Sequence, residues 1–215
     1  MTIKAILFDM DGVLIEAKDW HYESLNQALG LFGKEISRID HLTTFDGLPT
    51  RKKLEMLNVE GDLHESLHEF INQLKQQYTH DIVLQRCVPV FAHERALAQL
   101  RTDDYRLAVC SNSVKSSVEL MMKRSHLEKY LELQVSNEDV KNGKPDPEMY
   151  LKAMDHFGLH PSECLILEDN ENGIKAAKAS GGHCMIIDNI YDVNLENVYS
   201  KIREIDMLGD DCHGH

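Results

Sequence analysis

No apolar run in this chain approaches the roughly 20 residues needed to cross a bilayer as a helix, so no membrane segment is expected. Basic charge is also scarce. The 23 Lys and Arg residues stand against 36 Asp and Glu, leaving a formal charge of -13 and no basic stripe that could replace phosphate counterions along a nucleic acid. A small anionic substrate is not excluded, because one lysine at close range and a bound divalent cation outweigh a diffuse negative surface that salt screens over about 8 Å. Disulfides are not expected: Cys87, Cys110, Cys164, Cys184 and Cys212 are odd in number, lack C-x-x-C spacing and fall partly inside apolar runs, where cysteine behaves as a small hydrophobe. Internal repeats and low-complexity stretches are missing. Before the first apolar block at Ala5 there is no room for a charged leader, an apolar signal core and a cleavage site, so a cytoplasmic location is expected.

What is present is a 215-residue chain, 42% hydrophobic and 27% charged, which suits one domain or a core with a modest insertion. Five short apolar runs, at 5 to 8, 107 to 110, 131 to 135, 164 to 167 and 184 to 187, alternate with helical stretches. That alternation predicts an α/β fold with a mostly parallel sheet covered on both faces. The spacing is uneven, since nearly a hundred residues separate the first run from the second. Within that gap Leu25, Ala28, Leu29 and Phe32 fall at i, i+3, i+4 and i+7, and Leu63, Leu67, Phe70 and Leu74 continue the helical period. The expected division is a core of 1 to 15 and 81 to 208, a helical insertion of 16 to 80, and a flexible tail of 209 to 215. Further on, "KPDPEMYLKAMDHFG" predicts a helix with Asp146 as N-cap, Pro147 at the first helical position and Gly158 as the stop.

The stretch "KAILFDMDGVLIE" ends a buried-strand pattern on two aspartates, Asp9 and Asp11. A buried strand should carry no charge at its end unless a cation or a proton meets it. The pair falls at the C-terminal end of the first parallel strand, where ligands of open α/β sheets collect, and Gly12 then permits a tight turn. Three more polar elements follow later apolar runs: Ser111 and Asn112, Lys144 in "NGKPDP", and Glu168 with Asp169. All fall on one rim of one sheet. Asp9 with Glu168 or Asp169 offers hard oxygen ligands for Mg²⁺, while Ser111 and Lys144 can hold phosphoryl oxygens.

Taken in order, "FDMDGVL", "CSNS", "GKPDPEMYLKA" and "LEDNENGIKAAKASG" resemble the four motifs of the haloacid dehalogenase superfamily, in the branch of beta-phosphoglucomutase-like enzymes and small phosphatases. The resemblance covers nearly the whole chain. It implies a Rossmann-like core with the insertion as an α-helical cap, and a Mg²⁺-dependent phosphatase of a small phosphorylated metabolite such as a sugar, polyol or amino-alcohol phosphate. By the same resemblance Asp9 is the nucleophile, forming an aspartyl phosphate, and Asp11 is the general acid and base. Ser111, Asn112 and Lys144 bind phosphate; Asp9, Glu168, Asp169 and the Asp11 carbonyl hold the metal. Two rival functions remain, a sugar phosphate mutase and a catalytically silent binding module. No nucleic-acid or membrane partner is expected, and the chain should be a monomer or weak homo-oligomer.

The cap departs from the family's pattern in places. Glu16-Ala17 stands where many relatives have Asp followed by Ser or Thr. His21 falls where relatives carry a histidine near the entrance, and reads equally as an ordinary first-helix residue. In "FDGLPTRKKLEML" Thr50 aligns with an arginine of beta-phosphoglucomutase, and Arg51 is displaced by one; Arg51 and Lys52 read equally as a solvated helix start. Lys75 aligns with a cap lysine, its other reading being a solvated surface residue. Asn170 and Asn172 read as helix caps, Trp20 as cap packing, and Cys212, His213 and His215 as a mobile end rather than a metal site.

Overall fold

The computed structural model describes residues 2–45, 47–59 and 63–210. Five strands, β1 (Ala5–Phe8), β2 (Arg106–Cys110), β3 (Leu133–Val135), β4 (Cys164–Glu168) and β5 (His183–Ile186), form one parallel sheet in the order β3-β2-β1-β4-β5. β1 is central, and Ala5 stands opposite both Arg106 and Cys164. Side chains alternate across the pleat. Ile6, Phe8, Leu107, Val109, Leu165 and Leu167 enter one core cluster, while Ala5, Leu7, Ala108, Cys110, Cys164 and Ile166 enter a second on the opposite face. Residues buried on both faces explain why these strands read as continuous apolar runs.

β3 is two residues shorter than the sequence predicts, because Leu131 closes a 3-10 turn onto Glu128 before the ladder begins. β5 starts one residue early, at His183.

The sheet is covered by α5 (Phe91–Thr102), α6 (Lys115–Arg124), α7 (Glu148–Phe157), α8 (Glu171–Ser180) and α9 (Leu195–Asp210). α7 begins at Glu148, with Pro147 in the capping position and the Asp146 carboxylate accepting from the Glu148 N–H at 3.0 Å. It stops where expected, at Gly158, in the left-handed conformation with φ 65°. α9 continues through 209 and 210, so the predicted tail is helical there; 211 to 215, with Cys212, His213 and His215, lie outside the described residues.

Between β1 and α5 come α1 (Lys18–Gly30), α2 (Arg38–Thr43), α3 (Thr50–Val59) and α4 (His68–Arg86). Leu25, Leu29, Phe45, Leu54 and Ile71 belong to a third cluster, separate from the two on the sheet. α1 and α4 also meet through a buried polar contact, Thr79 Oγ1 to Ser24 Oγ at 2.9 Å. Since α4 runs without a break across position 80, we propose that cap and core part within this helix. Trp20 does not pack into the cap's cluster. It is partly buried against the core cluster under α5, α6 and α9, because the first turn of α1 leaves the sheet at its rim. Among the described residues no helix is long and apolar enough to cross a membrane.

Candidate active site

Asp9, Ser111 and Glu168 sit where their strands end, whereas Lys144 lies on the loop before α7. The Asp9 N–H donates to Leu167 O at 2.9 Å and Ser111 N–H to Val135 O at 2.9 Å, continuing the ladders of β1 and β2 by one residue. Those two bonds deliver both side chains to the same rim. Lys144, 4% exposed, reaches between them from the loop before α7: its ammonium lies 2.5 Å from Asp9 Oδ1, 2.6 Å from Glu168 Oε1 and 2.8 Å from Cys110 O. Glu168, fully buried, also accepts from the Tyr150 hydroxyl. Tyr150 lies on the buried face of α7, and nothing in the sequence spacing signals a hydroxyl aimed at a carboxylate.

Burial pushes the Asp9 carboxyl up, against the pull of the Lys144 charge, and the carboxylates of Glu168, Asp169 and Asp11 push it further. This is the condition a divalent cation relieves. Carboxylate oxygens of Asp9, Glu168 and Asp169 all lie within 4.8 Å of one another, and a set of hard oxygen donors fits Mg²⁺. Two glycines make room for these acids. A Cβ at Gly12, whose φ is +90°, would lie 2.0 Å from Asp169 Oδ2, and one at Gly173 would lie 2.0 Å from the Glu168 carboxylate. Asp169 further pairs with Lys18, a residue of the first α1 turn that sequence reading missed, at 2.7 Å.

Asp11 faces a different set of partners. The Ser113 hydroxyl donates to Asp11 Oδ2 at 3.0 Å, and His21 Nε2 lies 3.2 Å from Oδ1. Burial pushes the Asp11 carboxyl up, but His21 and the Ser113 hydrogen bond outweigh it and hold the group below its ordinary value. His21 is lowered by burial and by the Lys75 charge, against the pull of Asp11. In its neutral form Nδ1 accepts from the Lys75 ammonium at 3.1 Å, which leaves the proton on Nε2, facing Asp11. Ala17 supplies no side-chain cap to α1, so the departure at Glu16-Ala17 leaves this helix start to its backbone.

The same cavity, about 150 Å³, is lined on the cap side by His21, His41, Thr50, Arg51, Lys53 and Lys75, and on the core side by Asp9, Asp11, Ser111, Asn112 and Lys144. Lys75 is 6% exposed; the surface reading fails because α4 turns it inward beside Ile71, at the α1 face that carries His21. Lys53, which the sequence reading passed over, is 7% exposed. It sits one turn behind Thr50 on α3, on the helix face turned to the cavity. Arg51 stays on the rim, its side chain 88% exposed and paired with Glu55, and Lys52 also pairs with Glu55. Asn170 caps α8 through the Gly173 N–H, as read.

Burial and the Lys53 charge bring Lys75 down to about 8. Its positive charge is therefore present below about pH 8 and lost above it. For a phosphate ester whose leaving group carries a carboxylate, KM is expected to rise several-fold as the pH climbs through 8, and to stay flat in Lys75→Met; a sloping profile in that variant assigns the effect to another group. The unfolded chain holds this proton more tightly between about 8 and 10.5, so Lys75 makes stability rise with pH across that window.

Known proteins resemble this chain over most of its length. The family model described as haloacid dehalogenase-like hydrolase matches residues 6–187. The phosphorylated carbohydrates phosphatase of Thermotoga maritima is 28% identical over 194 residues, covering 89% of this chain and 85% of that protein. Among solved structures, beta-phosphoglucomutase of Clostridium difficile superposes with a TM-score of 0.82 at 18% identity over 95% of this chain and 99% of its own. CbbY of Rhodobacter sphaeroides gives 0.80 at 21% identity, covering 88% of each chain. Both structural likenesses speak for the fold.

Proposed function

The chain belongs to the haloacid dehalogenase-like hydrolase family, and from that premise we propose that it is a Mg²⁺-dependent phosphatase of a small phosphorylated metabolite, acting through an aspartyl phosphate. The observation that carries this reading is the convergence of Asp9, Asp11, Ser111 and Lys144 on one cavity roofed by cap residues. Asp9 attacks phosphorus while the bond to the leaving oxygen breaks, and Asp11 delivers the proton that oxygen needs. A phosphoryl dianion arriving beside Asp11 raises its proton affinity, so the carboxyl that Ser113 and His21 hold low can carry a proton at that moment. With the leaving group gone, Asp11 takes the proton back from water, whose oxygen displaces Asp9 from phosphorus. Lys144 and the Ser111 hydroxyl hold phosphoryl oxygens through both steps.

Asp9 and Asp169, with Glu168 and the Asp11 carbonyl, would hold Mg²⁺, which when bound offsets the charge of the carboxylates and the phosphoryl oxygens. The cavity is small, and its cap wall is polar and cationic, which favours a compact, hydroxylated or anionic leaving group over a polymer. A panel of phosphorylated metabolites with Mg²⁺ is expected to release inorganic phosphate, and EDTA to stop it. Undiminished release in EDTA removes the metal from the proposal.

A second reading is favoured by one observation. The cap holds two buried lysines, Lys53 and Lys75, on the cavity wall, although the arginine position is Thr50, and a mutase needs a cation there for a second phosphate. Hexose 1-phosphates supplied with and without the matching bisphosphate separate the two. Hydrolysis yields inorganic phosphate in both cases, whereas bisphosphate-primed formation of the 6-phosphate with little phosphate release establishes the mutase.

A further inference from the structure

Cap and core meet at a polar seat that none of the steps above uses. The carbonyl of Gly47, in the loop between α2 and α3, accepts from Asn112 Nδ2 at 3.0 Å. The same amide nitrogen donates to the Lys144 carbonyl at 3.2 Å, and Asn112 Oδ1 accepts from the Lys144 N–H at 2.9 Å. One side chain therefore grips the Lys144 backbone on both sides while it reaches the cap. Gly143 makes the grip possible, since a Cβ there would lie 2.6 Å from Asn112 Oδ1. On the cap side Gly47 is held at φ +66°, and a Cβ would lie 2.7 Å from Asn170 Oδ1. Asn170 in turn donates to Asp169 Oδ1 at 3.2 Å. Two amides flank one glycine, and they lead to the two sides of the charged cluster, Lys144 and Asp169.

We propose that Asn112 is a positioning residue that registers closure of the cap at Lys144, with the Gly47 carbonyl as its trigger. The placement supports this in three ways. All three side-chain hydrogen bonds of Asn112 go to protein groups, one to the cap and two to the Lys144 backbone. The contact spans 65 residues and joins the loop that opens α3, where Lys53 lies, to the loop that carries Lys144. Finally, the two N–H groups of one planar amide serve both carbonyls, so the departure of Gly47 frees that amide to turn, and the position of the lysine backbone depends on the state of the cap. A single neutral hydrogen bond shifts such an open–closed balance by about 2- to 10-fold.

The proposal rests on the phosphatase reading in its kinetic arm alone. Small-angle X-ray scattering of the full chain with Mg²⁺ and orthovanadate compares wild type with Asn112→Ala, Asn112→Asp, Gly47→Ala and the Asn112→Ala/Gly47→Ala double variant. Asp keeps the bond from the Lys144 N–H but cannot donate to Gly47, so it guards against a folding defect in the Ala variant. Each single variant is expected to have a larger radius of gyration than wild type, and the double variant to be no more open than the singles. For the best metabolite, kcat falls about 10-fold with KM little changed in Asn112→Asp and Gly47→Ala, and the double variant is no slower than Asn112→Ala. Scattering identical to wild type in both Asn112 variants, or single effects that multiply in the double, overturns the proposal. If wild type hydrolyses no phosphate ester, the phosphatase reading falls, and the scattering arm still decides the role of Asn112.

Discussion

Asp9→Asn is expected to lower phosphate release by roughly four orders of magnitude or more, with KM barely altered where it can be measured. The replacement is nearly isosteric, so the Lys144 ammonium keeps an oxygen partner at the end of β1 and the fold should survive. What disappears is the nucleophile's electron pair, together with one charge of the donor set formed by Asp9, Glu168 and Asp169. The variant should also carry no phosphate through acid quenching, whereas wild type trapped during turnover should carry one phosphoryl group on Asp9. Turnover within tenfold of wild type, in protein free of contaminating phosphatase, would place the nucleophile elsewhere. Asp11→Asn makes the contrast: it should lose turnover yet retain Mg²⁺ affinity, because only its backbone carbonyl is assigned to the metal.

Lys144→Met should have the largest effect on stability. Its ammonium is buried between Asp9 and Glu168, and the two carboxylates pull its proton affinity above that of an ordinary lysine while burial opposes them. A lysine raised in this way contributes stability fully below the unfolded-state value and loses it only as the pH rises through the higher folded one. The contribution is therefore constant across the neutral range, and pH cannot mimic the substitution there. Removing the cation leaves Glu168, fully buried, and Asp9, 4% exposed, facing each other without it. Breaking a buried pair in this way costs about 3–5 kcal/mol, read as a lower denaturation midpoint at unchanged slope. Mg²⁺ should restore part of the loss, and Glu168→Gln in the same chain another part. Unchanged stability without metal would mean that the carboxylates are neutral in the native protein.

Except for Lys144, the residues behind these two predictions were legible in the sequence for one reason. In a doubly covered parallel sheet the apolar run itself marks the strand, so a polar residue directly after it marks the rim; Asp9, Ser111, Glu168 and Asp169 follow from that rule. Lys144 lies on a loop and was legible only because "GKPDP" stood before a capped helix. The cap was harder to read. Lys18 and His21 differ from Asp19 and Tyr22 in sequence only by phase on α1, and phase is decided by where the helix leaves the sheet. Lys53 and Lys75 reach the cavity through tertiary packing of α3 and α4, while Arg51 and Lys52, one or two residues away, point to water. Tyr150 is indistinguishable from its apolar neighbours by period alone. Hydrophobic spacing finds the buried face of a helix, but it cannot tell which buried polar atom will find a charge there.

The central place of β1 has a consequence for how the chain is made. Its partners are synthesised late, since Ala5 pairs with Arg106 and with Cys164, and the ribosome releases this four-residue apolar strand about a hundred residues before either edge can be covered. Until then the nascent chain exposes Ala5–Phe8 with both hydrogen-bonding edges open, next to helices that can already gather around Leu25, Leu54 and Ile71 as a cap. The cap is thus able to compact before the sheet, and the chemistry comes later: Asp9 emerges more than 150 residues before the Glu168 it must meet. A ribosome stalled between β1 and β4 leaves a strand edge uncovered and the site incomplete, so slow translation before β4 should raise the load on chaperones and the yield of aggregates rather than produce partly active enzyme.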